Sequence, residues 1–242
     1  MLGKKVLLVA YTHSALDSLL LKLKELEISF LRIASSVTRV HESIKQHTDV
    51  YAAQEADSVP QYKRLVSSHS VLASTVLNVG HSLLSSLTFD LCIIDEASQS
   101  TLPHSLGPLS LARKFVLVGD HYQLPPLVKS KHAREQGLAE SLFFLLAAKF
   151  PHSVAPLTLQ YRMSKQIMLL PNSLTYEGKL KCGSRTVEKV ILFPLFDSLK
   201  YSLSKLGTEF SCRSQRVKHK GRVGEKDLRE RVSTISFFPL QM

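Results

Sequence analysis

Short continuous apolar runs alternate with segments of helical spacing through the first three-quarters of the chain. Val6-Leu7-Leu8-Val9-Ala10 is an unbroken apolar run of strand length, the pattern of a strand buried on both faces. Residues 13–27 then switch to helical spacing, with Thr12 in position to cap them. Leu16, Leu19, Leu20, Leu23 and Leu26 form one stripe, and Lys22, Lys24, Glu25 and Glu27 fall mostly off it. Further strands are predicted at residues 30–33, 71–74, 89–94 and 115–118, separated by helical or irregular stretches such as 58–67 and 137–150. This alternation predicts an α/β domain with a mostly parallel sheet.

After about Ser184 the pattern decays. Residues 211–231 hold eight Lys plus Arg against three acids, with Ser and Gly between and almost no periodic apolar positions. They are expected to form a poorly structured basic tail, either simply solvated or a patch for nucleic acid or nuclear import. The expected division is 1–184 for the folded domain and 185–242 for the tail. No internal repeat at solenoid spacing is present.

Composition narrows the class. The chain has 242 residues, 44% hydrophobic and 21% charged, long enough for one large or two small domains and too balanced for a disordered chain. Its 31 Lys plus Arg against 20 Asp plus Glu give a formal charge of +11, which favours polyanionic partners. Three scattered cysteines, Cys92, Cys182 and Cys212, form neither a disulfide framework nor a CxxC metal site, and Cys92 reads as simply buried. No stretch of eighteen apolar residues and no leader pattern occurs, so a soluble intracellular protein with no membrane partner is expected.

The strongest chemical feature is Phe89-Asp90-Leu91-Cys92-Ile93-Ile94-Asp95-Glu96-Ala97-Ser98-Gln99. An apolar strand ending in two carboxylates places them at the carboxyl edge of a parallel sheet, where open α/β folds bind ligands. One carboxylate can hold Mg²⁺, directly or through water. Its neighbour can orient and deprotonate a water attacking a nucleotide γ-phosphate. Asp95 is the candidate metal residue and Glu96 the candidate base, although the same dipeptide can merely open a surface loop. About twenty residues on, Phe115-Val116-Leu117-Val118-Gly119-Asp120-His121-Tyr122-Gln123-Leu124-Pro125-Pro126 repeats the strand-then-polar-loop arrangement. There Gly119 permits close backbone approach, and Gln123 offers an amide able to report on a γ-phosphate. In Leu159-Gln160-Tyr161-Arg162-Met163, the fork of Arg162 suits phosphate and the face of Tyr161 suits a base.

Together these residues resemble superfamily 1B helicases, nearest the helicase half of the eukaryotic replication helicase/nucleases. The likeness runs from about residue 5 to 183. It includes Tyr11-Thr12-His13-Ser14-Ala15-Leu16-Asp17, similar to the family's motif Ia, and Asn172-Ser173-Leu174-Thr175-Tyr176-Glu177-Gly178-Lys179-Leu180. The resemblance implies an incomplete RecA-like (P-loop NTPase) sheet with flanking helices that uses ATP and Mg²⁺ on single-stranded or flapped DNA. RNA is the alternative track. It implies Asp95 and Glu96 as metal-binding and water-activating carboxylates, Gln123 as γ-phosphate sensor, Arg162 as γ-phosphate arginine and Tyr161 as adenine platform. Thr12, His13, Asp17 and Thr75 are implied on the strand-binding side, although Thr12 can serve only as a cap, Asp17 as a surface charge, and His13 as a packing residue.

Parts of the family pattern are missing. Gly-x-x-x-x-Gly-Lys-Ser/Thr occurs nowhere, and Gly3-Lys4 is no substitute for it. The lost strand that precedes that loop is implied to be central, so its neighbours are expected to show unpaired edges and the fold to be unstable or sticky. Three isolated cysteines cannot hold the iron–sulfur cluster of the family's nuclease domain, so that site is expected to be absent. The expected product is a shortened or imperfectly framed chain with a non-family tail from about Thr186. Three functions stay open: a fragment of a helicase/nuclease of replication and break repair that cannot hydrolyse ATP alone, a single-strand-binding or interfering module, and an RNA helicase of the same superfamily. Single-strand binding protein is an implied partner. The nucleus is the implied compartment, with mitochondria as a second one by family likeness.

Overall fold

The computed structural model describes residues 3–188 and 232–237. Among the described residues there are nine strands: β1 (Val6–Ala10), β2 (Phe30–Arg32), β3 (Val71–Thr75), β4 (Phe89–Asp95), β5 (Ala112–Gly119), β6 (Val154–Pro156), β7 (Leu159–Gln160), β8 (Lys181–Cys182) and β9 (Val232–Phe237). The chain divides into two compact units, the first containing the residues up to Pro156 together with β9, the second beginning at Leu157.

In the first unit, one parallel sheet carries the order β2-β3-β1-β4-β5-β9-β6. Strand β1 lies between β3 and β4, and its residues alternate between two apolar layers, as an unbroken apolar run requires. Leu7 and Val9 join Leu72, Phe89, Cys92, Ile94, Phe115, Leu117, Phe143 and Leu146 in one layer. Leu8 and Ala10 join Phe30, Ile44, Ala73 and the helix residues Leu16 and Leu20 in the other. That helix spans His13–Glu25, with the Thr12 hydroxyl accepting from the Ala15 amide at 3.2 Å as its cap. Leu16 and Leu20 are fully buried, worth about 1.5–3 kcal/mol each. Leu26 departs from the expected stripe. The helix stops at Glu25, and Leu26, at the C-cap position, is 69% exposed.

The expectation of unpaired central edges is corrected by β9. It pairs in parallel with β5 from Phe115↔Val232 to Gly119↔Phe237, and with β6 from Val154↔Ile235 to Pro156↔Phe237. Its backbone supplies the donors and acceptors that β5 and β6 would otherwise leave unmet. The expected poorly structured tail therefore contains a strand at Val232–Phe237, while its most basic stretch, 211–231, and Cys212 lie outside the described residues. Among the described residues no helix is long and apolar enough to cross a membrane.

Candidate functional site

Parallel strands end on one side of their sheet, and this brings the loops after β1, β3, β4 and β5 to a common edge. Ala10, the last residue of β1, stands in register with Thr75 of β3 on one side and Asp95 of β4 on the other. Immediately after Asp95 the chain turns sharply, because Glu96 adopts the left-handed conformation at φ 54° and ψ 35°. For a side chain other than glycine this costs roughly 1–2 kcal/mol. A single 3₁₀ turn, Ala97–Gln99, follows, and the Gln99 amide donates back to the Glu96 carboxylate at 3.0 Å.

The end of β5 packs against that turn. A methyl group on Gly119 would stand 3.0 Å from the Ser98 amide nitrogen and 3.3 Å from that of Ala97, so any side chain there would require the turn to give by a few tenths of an ångström. The next residue, Asp120, is 4% exposed, and its amide donates to the Ser98 hydroxyl at 3.3 Å. Its carboxylate accepts from the Tyr122 amide at 2.9 Å and, through the other oxygen, from the Gln123 side-chain amide at 2.9 Å. Asp95, Glu96, Asp120 and Gln123 are therefore brought together. Asp120 was missed in reading the sequence as a site residue. Its signal is local: an Asp directly after the strand glycine can fold the following loop onto its own carboxylate.

Burial raises Asp95 above the ordinary carboxylate range, with the Glu96 amide and the Lys22 charge pulling the other way. Glu96 is likewise raised by burial, then by the negative charge of Asp95, and the Gln99 amide partly opposes this. The Asp120 charge adds to the same upward push. Such an edge is poor in positive compensation. It gains by protonation or by an approaching cation.

The second unit arranges its own residues around Gln160. Strands β7 and β8 pair in parallel, Leu159↔Lys181 and Gln160↔Cys182. Gln160 is 3% exposed, and its side-chain oxygen accepts from the amides of Arg162 at 2.9 Å and Met163 at 2.7 Å. Its nitrogen donates to the Met163 carbonyl at 2.7 Å. One buried amide thereby shapes the turn that carries Tyr161 and Arg162 outward, both exposed. Gln160→Leu leaves those two backbone donors without their acceptor, at about 1–3 kcal/mol for each one that stays buried. The expected outcome is faster hydrogen exchange at the Arg162 and Met163 amides, read by NMR, and a lower melting temperature. Asn172 fixes the far side of this unit by bonding both the amide and the carbonyl of Leu180, at 2.9 and 3.1 Å.

Two family profiles, each described as an AAA domain, match residues 53–131 and 138–227. The second runs past the boundary expected at Ser184. The chain is 46% identical over 204 residues to the DNA replication ATP-dependent helicase/nuclease DNA2 of Bos taurus, covering 83% of this chain and 19% of that protein. It is 47% identical over 187 residues to DNA2 of Saccharomyces cerevisiae, covering 76% and 12%. Over 190 residues it is 47% identical to the DNA replication ATP-dependent helicase/nuclease JHS1 of Arabidopsis thaliana, covering 78% and 14%. The chain belongs to helicase superfamily 1B. It spans less than one-fifth of the length of these relatives.

The residues of this superfamily 1B chain expected on the strand-binding side divide into accessible and buried ones. Thr12 is exposed, with its hydroxyl engaged as the helix cap. His13 is partly exposed, and its Nδ1 lies 3.1 Å from Arg32 Nη2. Burial, then the charges of Arg32 and Arg39, lower its affinity for a proton. Asp17 is only 6% exposed, and its carboxylate is committed to Arg32 Nε at 2.7 Å and the His41 amide at 2.8 Å. It holds the loop that follows β2 rather than presenting a charge to solvent. Thr75 is 6% exposed at the end of β3.

The carboxyl edge fits a magnesium–nucleotide ligand in its donor set. Mg²⁺ takes oxygen donors, commonly one or two carboxylates with water and substrate phosphates completing the shell. Asp95 and Glu96 are oxygen donors already destabilised as anions.

Proposed function

We infer that this chain is part of the ATP-driven motor of a DNA replication helicase/nuclease. The observation that carries the reading is the meeting of Asp95, Glu96, Asp120 and Gln123 at the carboxyl edge of one parallel sheet. The relatives, themselves named DNA replication ATP-dependent helicase/nucleases, agree with it. In the intact protein, Asp95 would hold Mg²⁺, whose chemistry there would be to neutralise charge on the phosphate oxygens. Glu96, held by Gln99 and raised by burial, takes a proton from the attacking water. Gln123, fixed by Asp120, reports on the γ-phosphate through its amide. Arg162 contacts the γ-phosphate, and Tyr161 supports the adenine. Thr12 and His13 face the single strand, while Asp17 and Thr75 shape that side from within. Flapped and single-stranded DNA are the substrates, and the nucleus is the compartment.

No Gly-x-x-x-x-Gly-Lys-Ser/Thr loop stands among the 242 residues, so these residues by themselves do not turn over ATP. The test uses the purified chain, with circular dichroism to show that it is folded and calorimetry for Mg-ATP and for oligo-dT and oligo-rU. The expected result is no turnover, and oligo-dT binding that weakens with salt at a log–log slope of about −0.7 per phosphate contacted. Turnover that Glu96→Gln abolishes would overturn the first part. A folded chain with no oligonucleotide binding at low salt would overturn the strand-holding part, and preference for oligo-rU would transfer the track to RNA.

A further inference from the structure

Gly183 has no part in the motifs above, yet its position relative to Tyr161 is tightly defined. It directly follows β8, and its amide donates to the Gln160 carbonyl at 2.8 Å, the carbonyl immediately before Tyr161. A methyl group at Gly183 would stand 2.2 Å from Tyr161 Cζ, 2.3 Å from Cε1 and 2.7 Å from Cε2. Near-equal short distances to these three ring carbons place that methyl over the ring face, not beside its edge. The Tyr161 ring thus lies face-on against the Gly183 backbone in the space that any other residue's Cβ would fill. Tyr161 is 53% exposed, so the ring is backed on one side while more than half of the residue remains open to solvent.

We propose that Gly183 is a positioning residue: by lacking a side chain it seats the Tyr161 ring against the backbone after β8, leaving the ring's outer face to stack a planar nucleobase. The base half of this statement rests on the functional reading of Tyr161 given above; the seating half rests on geometry alone. A ring free to swing pays the entropy of being ordered each time a base arrives, whereas a seated ring has paid it on folding. The atoms displaced by a methyl at Gly183 belong to the far end of a partly exposed side chain, so they can move away at little cost to stability. Gly183→Ala therefore separates ring placement from folding. The base could belong to a mononucleotide or to a single strand, since every base offers a π-face.

The experiment uses the 242-residue chain with ¹³C-labelled tyrosine rings, the Tyr161 resonance being assigned from its loss in Tyr161→Leu. Wild type, Gly183→Ala, Tyr161→Ala and the double variant are each titrated with Mg-ATP and, separately, with oligo-dT, and each is melted. In Gly183→Ala the Tyr161 resonance moves while the melting temperature stays close to wild type. Affinity for whichever probe perturbs that resonance falls about tenfold, within the range of one lost base–aromatic stack. Adding Gly183→Ala to Tyr161→Ala costs nothing more, whereas a merely structural glycine would add its own loss in both backgrounds. An unmoved ring resonance in Gly183→Ala overturns the proposal, as does a full additive loss in the double variant. Response to Mg-ATP alone identifies a mononucleotide base, and response to oligo-dT alone a strand base. If neither probe perturbs Tyr161 in the wild type, the base-binding reading fails, and the ring resonance in Gly183→Ala still decides the seat. Should Gly183→Ala not fold, Tyr161→Leu reads the same contact from the other side: the Gly183 Hα signals, displaced by the ring current, then move toward ordinary glycine values, and unchanged signals overturn the seat.

Discussion

Arg32→Ala is expected to cost about 3–5 kcal/mol of folding stability, the range for removing one partner of a buried ion pair. Arg32 is 1% exposed, and its Nε lies 2.7 Å from Asp17 Oδ1. Truncation leaves Asp17 charged and buried, with only the His41 amide still donating to it. At roughly 2–4 °C per kcal/mol for a chain of this size, the melting temperature should fall by about 6–20 °C. Asp17→Asn should cost comparably, because it strands the guanidinium instead. The double replacement Asp17→Leu with Arg32→Met removes both charges and should recover most of the loss. It should stop short of wild type, since the His41 amide then has no acceptor, at about 1–3 kcal/mol if that group stays buried. Urea unfolding of the four proteins measures this directly. Additive single-variant losses in the double replacement would show that the two side chains do not act as a pair. Arg32→Ala also removes the contact of Arg32 Nη2 with His13 Nδ1 at 3.1 Å.

Glu96→Gln is expected to stabilise the fold near neutral pH and, in the intact helicase, to lower ATP turnover by about 10²–10⁴-fold, the usual contribution of a positioned base. The opposite signs have one cause. Burial and the Asp95 charge raise Glu96, so the folded state holds this proton more tightly than the unfolded state does. The folded state's advantage from the protonated form is fully present below the ordinary carboxylate range, and it is lost as pH rises through the raised folded-state value. Above that window the fold carries a buried, poorly compensated anion, which glutamine removes. Asp95→Asn should act in the same direction, since burial raises that group as well. Melting temperatures across pH should show each variant above wild type near pH 7 and converging with it in acid. A variant less stable than wild type at neutral pH would show that the carboxylate is compensated in a way these distances do not include.

Both results turn on residues whose identity was plain in the chain and whose surroundings were not. The apolar run at Val6–Ala10, the Thr12 cap and the strand that ends at Asp95, just before Glu96, are local patterns, and the structure places them as read. A strand buried on both faces needs apolar residues at consecutive positions, and a helix start favours a side chain that accepts from its first free amides, so neighbouring residues alone reveal them. The carboxyl edge was legible for a related reason: parallel strands must all end on one side.

Other features depend on residues far apart in sequence. Asp17 reads as a surface charge in the first turn of a helix. Its partner, Arg32, stands fifteen positions on in a different element, and only the folded chain puts the two together in the interior. The strand at Val232–Phe237 follows a basic stretch with no apolar period, and what admits it to the sheet is the demand of β5 and β6 for backbone partners. Leu26 fits the helical stripe but falls beyond the point where the helix ends. The contact between Gly183 and Tyr161 is set by β7–β8 pairing, which no spacing announces. The sequence by itself therefore determined the α/β class, the strand ends and the identity of the carboxylates, because these follow from local periodicity and chain direction. Only the tertiary structure decided which charges are buried, which partners neutralise them and which backbone a ring rests on, because burial and proximity are properties of the packed chain.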